Sequence, residues 1–145
     1  MLRWRAMGLG VLLGSTLVGA SACGGSSSAP ADATAAASQR LQGDWRLQSF
    51  TPSLALEEPL RGLLSAQLST MTVRFSADEF SASGPSVNTS GRYEITSAQG
   101  DALSGRVFDR AGASYGISGQ FVGSEFRFTS EDPPWAGFGV LTRAQ

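Results

Sequence analysis

The chain has no histidine, and all 11 of its basic residues are arginine, so it has no lysine either. It carries a single cysteine in 145 residues. These absences remove most enzymatic chemistry. A serine or cysteine nucleophile needs a neighbouring base, and the usual bases are His and Lys. Zinc sites draw on Cys and His. One cysteine cannot close a disulfide within the chain. Positive charge is scarce as well: the formal net charge is −1, so the basic footprint of a nucleic-acid binder is missing. No run of acids at alternate positions suggests a calcium loop, and Gly137-Phe138-Gly139 lacks the third glycine of a dinucleotide loop. The remaining option is paired carboxylates. Glu57-Glu58, Asp78-Glu79 and Glu131-Asp132 are adjacent pairs, and neighbours in a strand or loop point apart. Each pair sits at a turn or a helix start, where acids serve the backbone. The reading is a non-enzymatic protein with no cofactor and no metal.

Long apolar runs are also missing. The longest, Ala6 to Gly19, is about 14 residues, too short for a stable bilayer span. It follows a short positive segment, Met1-Leu2-Arg3-Trp4-Arg5, in which Trp4 separates the two arginines, so no twin-arginine pair exists and a general secretory route is implied. The run ends in Ala20-Ser21-Ala22-Cys23, followed by Gly24-Gly25-Ser26-Ser27-Ser28. This stretch resembles the lipobox of bacterial lipoproteins. The resemblance implies that residues 1–22 are a signal peptide, that cleavage makes Cys23 the first mature residue, and that Cys23 receives acyl chains such as palmitate. Two or more chains hold a protein stably at a membrane, whereas one gives marginal binding. Gly24 in place of Asp resembles the outer-membrane sorting pattern of Gram-negative bacteria. The implied location is the cell envelope, lipid-anchored at the periplasmic face of the outer membrane or at the cell surface. Ala20-Ser21-Ala22 also reads as an A-x-A site for ordinary signal peptidase. Loss of Arg3 and Arg5 leaves nine arginines against twelve acids, a formal −3. Residues 23–38 are rich in Gly, Ser and Ala and read as a flexible tether, reaching roughly 20 Å r.m.s..

Residues 39–145 suffice for one small domain. Trp45, Leu47 and Ser49 share one face of a first strand, with Arg46 and Gln48 on the other. Thr51-Pro52-Ser53 stops it. Leu54 to Leu68 then changes to helical spacing, with Pro59 suited to a first turn. This is the one helix expected, a lid or plug packed on the sheet. Seven short strands follow, among them Met71-Val73-Phe75, Arg92 to Thr96, Leu103 to Val107, Tyr115 to Phe121 and Phe126-Phe128. Asp109-Arg110-Ala111-Gly112 reads as a hairpin loop with glycine in a left-handed position. Strand glycines Gly105, Gly119 and Gly139 would allow bends or bulges. Eight short strands joined by short turns close most simply into an up-and-down antiparallel β-barrel, which removes exposed edges. The expected fold is therefore mainly β, with one helix between the first and second strands.

Gly43-Asp44-Trp45 on the first strand is similar to the G-x-W signature of lipocalins and their calycin relatives. The resemblance implies that Trp45 packs across the closed end of the barrel against an arginine from the last strand, and Arg143 stands at that place in the chain. Phe75, Phe80, Tyr93, Tyr115, Phe121, Phe126 and Phe128 look sufficient to fill a shallow barrel. That points first to a protein-interaction or structural role in the envelope, using the stiff loop Pro133-Pro134-Trp135 and Phe138. If the barrel instead holds a cavity, the reading becomes a carrier of a small apolar ligand. The expected partners are the membrane, through the lipid anchor, and an envelope protein or a small apolar molecule.

Overall fold

The computed structural model describes residues 29–133 and 135–145. Cys23, with the signal peptide and lipobox read from residues 1–22, lies outside the described residues. The elements run in chain order as α1 (Ala29–Leu41), β1 (Gly43–Pro52), α2 (Leu60–Leu68), β2 (Thr72–Ser76), β3 (Glu79–Gly84), β4 (Val87–Gln99), β5 (Ala102–Asp109), β6 (Ser114–Val122), β7 (Glu125–Ser130) and β8 (Gly137–Arg143). The eight strands pair antiparallel with their sequence neighbours, and β8 returns to β1 to close the barrel. The up-and-down barrel, with one helix between the first two strands, is the fold that the alternating pattern predicts.

The registers define the two ends. Trp45 pairs with Arg143, and Gly43 with Phe75, at one end; Pro52 pairs with Gly137, and Gly84 with Val87, at the other. The first end is closed. Trp45, Phe121 and Phe126 pack there in tilted and edge contacts, their ring centroids 4.9–6.4 Å apart. These rings are almost fully buried.

Helix α1 covers the closed end and corrects two expectations. Part of the stretch read as a flexible tether is helical from Ala29 onward, and α2 is not the one helix. The stretch is polar and low in complexity, yet alanine is the best helix former. Asp32 in the first turn and Arg40 in the last suit the helix dipole. The barrel supplies the apolar surface that the segment lacks: Ala37 and Leu41 are buried in the same core as Trp45. Arg40 donates to Asp101 Oδ1 at 2.8 Å and lies 4.2 Å over the Phe121 ring.

Two further differences are local. Ser49, expected to face inward, is exposed, because the β1–β8 register shifts between Leu47 and Ser49 and turns Phe50 inward against Phe128 instead. Helix α2 starts at Leu60, not Leu54, and only its last turns meet the barrel. Leu68 is buried and Leu64 packs on the core, while Leu54, Leu60 and Leu63 are exposed.

Candidate functional site: an apolar cavity at the open end of the barrel

The closed end is built on Trp45. Its ring is 1% exposed, and its Nε1–H donates to the Leu41 carbonyl at the end of α1, at 2.7 Å. The Arg143 guanidinium lies 4.3 Å from the ring centroid and donates to the carbonyls of Gln42, at 2.6 Å, and Arg40. Gly43 makes this approach possible. It has φ +116°, and a Cβ there would stand 2.5 Å from Arg143 Nη1.

Beyond this plug the barrel is not filled. A cavity of about 170 Å³ runs to the open end. Its walls are aliphatic and aromatic, including Leu47, Met71, Val73, Phe80 and Val107. The aromatic side chains that look sufficient to fill the barrel do not do so, for a legible reason. Phe126 and Phe128 lie flat against neighbouring strands over glycines. A Cβ on Gly119 would meet the Phe126 ring at 2.4 Å, and one on Gly139 would meet Phe128 at 2.3 Å. Gly119 and Gly139 thus seat rings. Gly105 does face the register shift between Ile95 and Ser97. Ala82 is also small and buried on the cavity wall.

Four polar residues line the cavity: Thr89, Asp109, Tyr115 and Ser130. Ser130, at the end of β7, is 3% exposed, and its Oγ has no hydrogen-bond partner among the described residues. A buried unpaired hydroxyl is costly, roughly 1–3 kcal/mol. Asp109 ends β5. Its Oδ1 accepts the Ala113 backbone N–H at 2.9 Å, and its Oδ2 accepts the Tyr115 hydroxyl at 3.1 Å. Gly112 closes that turn at φ +87°, the left-handed position read from the sequence. The bond to Asp109, then desolvation, then the carboxylate's charge raise the Tyr115 pKa above the usual phenol value, so the hydroxyl remains a donor.

The loop between β7 and β8 forms part of the rim. The Gly116 N–H donates to Asp132 Oδ2 at 2.5 Å, the Trp135 N–H donates to the Asp132 carbonyl at 3.1 Å, and the Ser53 N–H donates to the Ala136 carbonyl at 3.0 Å. These bonds place Trp135 on the cavity wall, 37% exposed. Phe138 is separate from it. With Gly137 and Gly139 facing inward, Phe138 lies on the outer wall, 45% exposed. The two residues read together as one interaction loop therefore serve different surfaces.

The paired carboxylates have local work. Asp78 pairs with Arg92 at 3.0 Å, Glu58 accepts the Gly62 N–H at 3.3 Å, and Asp132 holds the rim loop. In the sequence Asp109 reads only as the start of a hairpin loop, and Ser130 carries no motif. Their signal is position: each ends a strand at the open end, on the inward alternation of Leu103, Val107 and of Phe126, Phe128. Comparison of the chain with protein-family models, with known proteins and with solved structures finds no match.

Proposed function

We propose that the barrel is a binding module for a small, mainly apolar molecule. It would be carried by an envelope lipoprotein whose residues 1–22 are a signal peptide and whose acylated Cys23 anchors it in a membrane. The observation that supports a ligand most strongly is the cavity itself, together with the unpartnered Ser130 hydroxyl on its wall. An apolar cavity of about 150 Å³ stays dry and takes up benzene-sized guests. At about 170 Å³, this one suits a single ring or a short branched chain, with the open end leaving room for a tail. It is too small for a drug-sized ligand, which needs roughly 300 Å³ or more.

Native mass spectrometry of the full-length protein, purified from its own envelope, tests the binding reading. An adduct of roughly 80–200 Da is expected for a guest of benzene size or somewhat larger; a bare protein counts against it. Radiolabelled palmitate tests the anchor: the label and the membrane association should both be lost in Cys23→Ser, and label retained in that variant contradicts acylation at Cys23.

A protein-interaction role is the second reading. The exposed Leu54, Leu60 and Leu63, near the open end, favour it. A protein-sized adduct that disappears in Leu60→Ser/Leu63→Ser would support this role over the first.

A further inference from the structure

Among the described residues the walls of the cavity carry one charged side chain, Asp109, and no arginine. Among the described residues Asp109 makes no ion pair. Arg110, next to it in the chain, lines an adjoining polar groove that shares Asp109 and Thr89 with the cavity, and is not itself on the cavity wall. An ionised carboxylate is acceptor-only and offers about four lone-pair sites. In Asp109 one site on each oxygen is taken, by Ala113 N–H and by Tyr115 O–H. Acceptor capacity therefore remains at the cavity wall. Ser130 Oγ, on β7, adds a second acceptor, without a partner among the described residues. The aromatic residues Tyr115 and Trp135 line the same wall, and the face of an aromatic ring attracts cations.

Resting on the cavity reading above, we infer that the barrel selects its ligand by charge and takes a small apolar amine in preference to an apolar acid. An ammonium head has three donors and no acceptor, which matches a wall of unfilled acceptors. A carboxylate head inside the cavity would be desolvated beside Asp109 with no cation on the cavity wall to meet it. Both penalties act in an apolar mouth where charge interactions are stronger than in water. The formal net charge of −1 adds a long-range bias of the same sign.

Isothermal titration of the full-length protein with three probes that share one ring separates the possibilities: benzylammonium, benzyl alcohol and benzoate, at pH 7 and low salt. Benzylammonium should bind at least ~10-fold more tightly than benzoate, with benzyl alcohol between them. Asp109→Asn should bring the ratio toward one. On the unaltered protein, raising the ionic strength from about 0.01 M to about 1 M should also shrink the ratio, as screening shortens from roughly 30 Å to 3 Å. If benzyl alcohol binds but benzoate binds as tightly as benzylammonium, charge selection is overturned and the cavity reading stands. A ratio that survives both Asp109→Asn and high salt also overturns it. If none of the three probes binds, both readings fail together.

Discussion

Arg143 lies across the face of Trp45, its guanidinium carbon 4.3 Å from the ring centroid, while Gly43, two residues before Trp45, leaves the room for it. The arrangement ties the first strand to the last and both to α1, because Arg143 also donates to the Gln42 and Arg40 carbonyls. One side chain thereby holds the closed end together.

Arg143→Met keeps most of the stem that covers Trp45 and removes the charge and the two donated bonds. Arg143 itself is largely exposed, so the cation–π contact contributes at the low end, about 0.5–1 kcal/mol, and each of the two exposed hydrogen bonds about 0.5 kcal/mol. A loss of about 1–2 kcal/mol is expected in chemical denaturation. Trp45→Ala should cost more, about 3–5 kcal/mol, because it opens a cavity in the core. Equal losses in the two variants would mean that Arg143 does more than cover the ring.

Ser130→Ala removes a buried hydroxyl that has no partner among the described residues. The ligand-free barrel should therefore keep its melting temperature or gain a few degrees, up to about 1 kcal/mol. Binding of a hydroxyl- or amine-bearing probe should weaken. A destabilisation of more than about 1 kcal/mol would show that the hydroxyl is already satisfied in the folded barrel.

Gly139→Ala places a methyl group where the Phe128 ring now sits, 2.3 Å from its edge. Phe128 lines the cavity, so it must shift into that space. Overpacking of this kind costs about 1–3 kcal/mol, and probe affinity should fall with stability. Unchanged affinity would mean that the ring is displaced away from the cavity.

The raised pKa of Tyr115 links stability to alkaline pH. The folded state holds the phenol proton more tightly than the unfolded chain, whose phenol titrates near 10. The contribution is therefore intact below about pH 10 and is lost as the pH rises through the folded value. The wild type should lose stability more steeply above pH 10 than Tyr115→Phe does. In a Tyr93→Phe background, tyrosinate absorbance should appear at lower pH once Asp109→Asn removes the hydrogen-bonding carboxylate. Superimposable curves with and without the Asp109 carboxylate would contradict the coupling.

Particular residues show how much of this was legible. Strand alternation marks Trp45, Leu47, Val73 and Tyr93 as inward, and all four are buried. The turn at Asp109 to Gly112 is readable because only glycine adopts φ +87° without strain. Helix α1 was not legible, since Ala37 and Leu41 gain their burial only from a barrel end formed by residues far along the chain. Nor was the bulge after Leu47, which depends on the register with β8. The cavity was legible only as the alternative to a filled barrel, because aromatic content by itself does not show the small residues opposite the rings. Ala82, Gly119, Gly137 and Gly139 supply little volume at inward positions, and three of them are glycines that let rings lie flat.

The measurement that tests the central claim most directly is a titration of benzyl alcohol into the full-length protein, set against Ala82→Leu. Ala82 is buried on the cavity wall, and leucine there adds three carbons to a space of about 170 Å³. Circular dichroism establishes that the variant keeps its barrel. The cavity account predicts saturable binding to the wild type and its loss in folded Ala82→Leu. Equal binding to both proteins, or none to the wild type, would contradict it.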